Sequence, residues 1–303
     1  MIKKHNTKEW FQNAFKIKGS IIPRVIYRSL FCGIFAGGIS YLDAFKYEVQ
    51  LPVLSSVIPS VVIGLLLVFR TNTAYERFWE GRKLWSMIDI NSRNLARQIL
   101  VIIEENNIQD TIDKKNALRL IGAFSVATKQ KLRRENKIEQ FEQFLTKNNL
   151  YSIKNSTNKP TDILVFLQDY LQTQMHKGNV LINQVSTMQS GVNNLLEGSI
   201  GCQRILDTPI PIAYSIHLKQ LLLLYCLTLP FQFVNQLGLW TGPIVFLVSI
   251  ALLGIEAIGM EIENPFGTDE NDINMSTLSK DIVSGIDEIT SLEPNSPKYK
   301  ITK

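Results

Sequence analysis

The 303-residue sequence predicts an all-α membrane protein, with four transmembrane helices and a large helical cytoplasmic part. Three observations predict it. Four stretches approach the length of about 20 apolar residues that a helix needs to cross a bilayer core. Lys and Arg are spread unequally over the connections between those stretches, which orients them. No segment shows the strict apolar–polar alternation of a half-buried strand, and no internal repeat is visible. The whole chain, 1–303, reads as one unit.

The first stretch, "VIYRSLFCGIFAGGISYL" (25–42), carries one charge, Arg28, near its start. Its Gly33 and Gly37 form a small-xxx-small pair that lets a neighbouring helix approach closely. The second, "LPVLSSVIPSVVIGLLLVF" (51–69), has no charge. The third (211–234) is interrupted by His217 and Lys219, and the fourth (243–260) contains Glu256. Charges at such depth normally face a bundle interior, a partner or a water-filled cavity. Snorkelling or simple pairing between helices is the alternative. A soluble core helix is the competing reading of every stretch, and it fits the uncharged second one worst.

Ahead of the first stretch stand Lys3, Lys4, Lys8, Lys16, Lys18 and Arg24; the connection 43–50 has only Lys46, and 235–242 has no basic residue. The middle region, about 70–208, is rich in Lys and Arg. Both termini and the middle region are therefore expected on the cytoplasmic side of an inner or plasma membrane. Lysines without an apolar core in residues 1–22 argue against a cleaved leader.

The second stretch continues without a break into "FRTNTAYERFWEGRKLWSMIDINSRNLARQIL" (69–100), which has no proline, so one long helix is expected. Val61, Leu65 and Phe69 recur every four residues and share a face. Such a stripe faces lipid, packs in a core or lines a pore. Pro59, two residues ahead of it, is placed to bend the helix. Beyond Phe69, Phe78, Trp85 and Ile88 alternate with charged residues, as in a helix packed on neighbours in water. A second amphipathic helix is expected over 111–133, with Ala117, Leu118 and Ile121 on one face. A shorter helix follows near 136–148, then a polar loop over 151–162, then helices near 162–176 and 180–206. The C-terminal segment, 261–303, is cytoplasmic and ends in a solvated tail, 292–303.

No HExxH, GxSxG, P-loop or GxGxxG motif is present, and nothing points to an enzyme. His5, His176 and His217 lie in separate regions. Cys32, Cys202 and Cys226 are odd in number and far apart, which argues against a disulfide framework or a zinc site. The net charge of +5 includes no run of like charges, so no nucleic-acid partner is expected.

After the fourth stretch comes "IENPFGTDENDI" (262–273), an acidic turn built on Pro265 and Gly267. Asp272 or Asn274 is placed to cap the helix that follows, whose Leu278, Ile282, Val283 and Ile286 share a face.

The Asn264-Pro265-Phe266-Gly267 turn with its acidic residues resembles the signature of the bestrophin family. "FRTNTAYERFWEGRKLW" (69–85), "GCQRILDTPIPIAYSIHL" (201–218) and "KGSIIPRVIYRSLF" (18–31) resemble the same family in the same order, over roughly residues 10–285. The resemblance implies a homopentamer of this chain around one axial pore. The neck of that pore is three apolar residues at four-residue spacing, matched here by Val61, Leu65 and Phe69 with Arg70 following. A second cytoplasmic constriction is implied within 179–190. A ring of apolar side chains gates by dewetting, because an ion that sheds water there meets no replacement ligand. The family's calcium-gated members hold Ca²⁺ in this turn, and two of their carboxylates match Asp269 and Asp272. This sequence departs from that pattern at Asn271, which breaks the acidic run, and in its N-terminal residues. The implied function is passive anion conduction, chloride above all, with small ions and membrane lipid as partners. A cation (sodium) channel of the same architecture is the alternative. A non-conducting scaffold and a secondary transporter are the readings from other classes.

Overall fold

In a computed structural model of the protein, the structure describes Trp10, Gln12, residues 15–47, Val49 and residues 57–292. Lys3, Lys4, Lys8 and His5, the 51–56 part of the second stretch and the tail from 293 lie outside the described residues. Among the described residues the regular structure is helical: α1 (Ile22–Ala44), α2 (Ile58–Ile102), α3 (Ile108–Leu132), α4 (Lys147–Lys154), α5 (Lys159–His176), α6 (Ile182–Asp207), α7 (Ile212–Leu237), α8 (Thr241–Glu263) and α9 (Met275–Thr290). Three helical stretches are long and apolar enough to cross a membrane: Ile22–Ala44, Ile58–Ile102 and the 52 residues Ile212–Glu263. The third comprises α7 and α8, joined by the 3-10 turn Gly238–Trp240.

The chain forms two compact units. The first contains α1, α2 as far as Phe78, α7, α8 up to Pro265, and residues 269–271. Its α1 packs on α8 and α7. At Gly33 an added Cβ would stand 2.8 Å from Phe246 Cβ, and at Gly242 one would stand 3.3 Å from the Gly37 Cα. The small-residue pair read from the sequence is thus where α1 and α8 touch backbone to backbone. In lipid that closeness is what stabilises a helix pair, since packing rather than water exclusion drives association. Cys32, Ala36, Cys226, Leu229 and Val245 fill one buried cluster. Ile63 and Leu67 of α2 fill another with Leu218 and Leu222 of α7. Between α7 and α8 the chain reverses at Gly238, whose φ of 51° lies in the left-handed region open to glycine. The Gly238 carbonyl accepts hydrogen bonds from Ser40 Oγ and Thr241 Oγ1, each at 2.6 Å.

Three expectations change in detail. Pro59 falls in the first turn of α2, where its missing N–H has no partner to lose, so it starts the helix instead of bending it. The helix expected near 136–148 is a short 3-10 turn, Ile138–Phe141, that buries Phe141, and Gln130 Nε2 holds the Lys137 carbonyl at 2.9 Å. An eight-residue helix, α4, occupies part of the polar stretch read as loop; Thr146 caps it and Ile153, fully buried, anchors it.

The second unit holds α2 from Trp79, α3 to α6, Phe266–Thr268, and the chain from Asp272. Its centre is α3, which packs on α5, α6 and α9. Residues 121–128 are buried on every side, so that half of α3 is not amphipathic as expected. The surrounding helices leave it no solvent face. Trp85, Ile88 and Leu95 of α2 are buried, and α6 approaches them through small residues. A Cβ at Gly198 would lie 2.7 Å from Ile88 Cγ1, and one at Gly201 would lie 2.8 Å from Leu84 Cδ2.

Candidate functional site

The stripe and the buried face of α2 lie on opposite sides of the helix. Successive residues turn by about 100°, so Ile63, Leu67, Arg70 and Ala74 share one face and Val61, Leu65 and Phe69 the other. The first set is buried at 4%, 3%, 2% and 0% exposure. The second is exposed at 54%, 54% and 62%. The three stripe residues therefore present an apolar surface that the described residues do not cover. Large apolar surface of this kind marks a lipid, partner or pore face.

Directly after Phe69, the Arg70 side chain turns inward onto two polar partners. Its Nη2 donates to Glu263 Oε2 at 2.7 Å and its Nη1 to Ser215 Oγ at 2.8 Å. The other Glu263 oxygen accepts the backbone N–H of Ile210 at 2.9 Å, and the Glu263 carbonyl accepts Arg77 Nε at 3.1 Å. Gly259 leaves the space: a Cβ there would stand 3.3 Å from Arg70 Cγ. Removing one partner of a buried ion pair costs about 3–5 kcal/mol, because the survivor stays buried and uncompensated. Glu256, two turns back along α8, is 2% exposed.

The acidic turn divides between the units. In the first, Arg24 of α1 reaches Glu261 Oε2 and Asp269 Oδ2, both at 3.1 Å. Lys18 pairs with Glu270 at 2.7 Å, and Asn271 Nδ2 donates to Glu261 Oε1 at 2.9 Å and the Gly19 carbonyl at 3.2 Å. Residues 269–271 therefore bind the chain entering α1 to the end of α8. In the second unit Phe266 is 1% exposed, and a Cβ on Gly267 would stand 2.5 Å from Asp272 Oδ2, so a larger residue there would push the Asp272 carboxylate aside. Asn274, one of the two residues expected at the cap, is the cap of α9: its Oδ1 accepts the Thr277 N–H at 3.1 Å. Ile282 and Ile286 are buried below it, with Leu278 and Val283 half-buried.

Ca²⁺ takes six to eight oxygens. Asp269 is committed to Arg24, and among the described residues no group of three or more His, Cys, Asp or Glu gathers that could hold a metal ion. Sequence reasoning missed the Arg70–Glu263–Ser215 hub altogether, since its members are up to 193 positions apart. The only local signal was a charge at each end of an apolar run.

The profile of the Bacterial/Fungal Bestrophin protein family matches residues 1–288. A voltage-dependent anion channel-forming protein of Nostoc sp. is 49% identical over 288 residues, 95% of this chain and 94% of its own length. One from Synechocystis sp. is 40% identical, with 94% and 93% covered. Among solved structures, a crystal structure of a bacterial bestrophin homologue from Klebsiella pneumoniae, obtained by zinc phasing, superposes with a TM-score of 0.80 at 25% identity, covering 90% of this chain and 100% of that one.

Proposed function

The chain belongs to the bacterial and fungal bestrophin family, and from that premise we propose that it is the subunit of a homopentameric channel that conducts anions, chloride foremost, passively across an inner or plasma membrane. Four helices cross the bilayer in this reading: α1, the first part of α2, α7 and α8. The turn at Gly238 and the connection after α1 face outward, and both termini face the cytoplasm. The observation that carries the proposal is the exposed stripe of Val61, Leu65 and Phe69 opposite a fully buried face. Five copies arranged with that stripe inward would close an apolar neck in which ions pass only when water fills it. The relatives in Nostoc and Synechocystis, named as anion channel-forming, support the choice of sign. The test is the reversal potential of purified protein in a planar bilayer under a NaCl gradient. Reversal near the chloride equilibrium potential is expected; reversal near the sodium potential would make this a cation channel of the same architecture. Reconstituted protein without any current would favour the scaffold.

The acidic turn serves in this reading as a latch and not as a calcium site. What supports it is the commitment of Asp269 to Arg24 and of Asn271 to Glu261 and Gly19. Isothermal titration of the purified protein with CaCl₂ is expected to give no saturable heat. Saturable binding that Asp269→Ala and Asp272→Ala both abolish would restore the clasp.

A further inference from the structure

The geometry points to Arg70 and Glu263 as positioning residues for the neck: their buried pair sets the axial register of α2 and so holds the Phe69 ring in place. The inference rests on the reading of Val61, Leu65 and Phe69 as pore-lining. Above Arg70, α2 is held to α7 by Ile63 and Leu67 against Leu218 and Leu222. Apolar contacts of this kind are non-directional and specify the register of a helix less sharply than hydrogen bonds do. The polar hub is different in kind. Arg70 binds Ser215, in the first turn of α7, and Glu263, the last residue of α8. Arg77, two turns along the same face of α2, binds the Glu263 carbonyl, and Glu263 also holds Ile210, just ahead of α7.

Four hydrogen bonds thus converge on one carboxylate residue and one guanidinium from three helices. Each has a short directional reach, whereas a shift of one helical turn moves α2 by about 5.4 Å. Such a shift breaks the bonds from Arg70 and Arg77 together. The hub therefore has no graded intermediate: α2 is either in register or released. Phe69 and Arg70 are consecutive on one helix, about a quarter-turn apart, at 62% and 2% exposure. Anything that loosens Arg70 moves the bulkiest ring of the neck by the same amount. Arg70 is a positioning residue in this scheme because no part of it reaches the open face.

The experiment uses the full-length protein reconstituted in liposomes, with a cysteine placed by Phe69→Cys and a charged methanethiosulfonate as the probe. The three native cysteines are all buried, so the placed thiol is the accessible one among them. Glu263→Gln in this background is expected to raise the modification rate severalfold. Without the placed cysteine, Glu263→Gln is expected to raise unitary conductance or open probability while the assembled mass of the pentamer stays that of wild type; its melting temperature falls, because Arg70 stays buried without its counter-charge. Ser215→Ala, which removes one bond and no charge, is expected to move both readouts in the same direction by less, and it carries the test if Glu263→Gln does not assemble. Modification rates and currents equal to wild type in an assembled variant would overturn the inference. Phe69→Ala separates the two readings. If Phe69→Ala alters current and the hub variants do not, the positioning role fails; if Phe69→Ala leaves current unchanged, the neck itself is misplaced.

Discussion

Asp110 is 2% exposed in the second unit, and its surroundings explain how a carboxylate is kept there. Lys177 Nζ lies 2.9 Å from Oδ1, and the Asn106 N–H donates to Oδ2 at 3.2 Å. The hydrogen bond from Lys177 is the main reason the Asp110 carboxyl is held below the ordinary carboxylate range; burial opposes it. The same bond raises the Lys177 ammonium. Because the folded state gives up the Asp110 proton more readily than the unfolded state, the unfolded chain protonates first as pH falls. The stabilisation is complete above the unfolded value of about 4 and is lost as pH drops through the folded one. Thermal melts from about pH 7 to about pH 3 are expected to show a falling midpoint in wild type and a flatter profile in Asp110→Asn. Equal slopes would mean that Asp110 does not contribute to acid lability. Gly267 has a similarly specific neighbourhood: the Asp272 carboxylate lies 2.5 Å from where a side chain would begin.

Among the elements, α2 carries the stripe on which the proposed function rests. Its buried residues Ile63, Leu67, Arg70 and Ala74 leave Val61, Leu65 and Phe69 to a face that is apolar and that the described residues do not cover. Leu65→Ala and Phe69→Ala each remove bulk from that face without touching the packed one. Both are expected to raise single-channel conductance severalfold or to abolish closure, with Phe69→Ala having the larger effect because its side chain is larger. Unchanged currents in both variants would remove the stripe from the conduction path. The stripe was legible in the sequence because four-residue spacing needs only the helix period to be read. That the helix starts at Ile58, and that Pro59 therefore begins it, was not, because a proline early in an apolar run starts a helix or bends one with the same local pattern.

At the scale of the molecule, in the proposed reading, five copies turn this apolar stripe toward a shared axis. Detergent-corrected light scattering of the purified protein is expected to give a protein mass of five times 34.4 kDa. A monomer mass would leave the stripe facing lipid and would end the pore reading. What the sequence by itself determined is the helical class, the apolar stretches, the stripe, the signature turn and, through it, the family. All of these are local patterns, set by composition and helix period within a few turns of chain. What only the tertiary structure decided is which charges meet. Arg70 found Glu263 and Ser215, Arg24 found Glu261 and Asp269, and the central part of α3 lost its solvent face to α5, α6 and α9. Those partners stand far apart along the chain, and no periodicity links them. Pairing of buried charge is a property of the packed interior, where low dielectric leaves an ion no partner but the one that the fold brings to it.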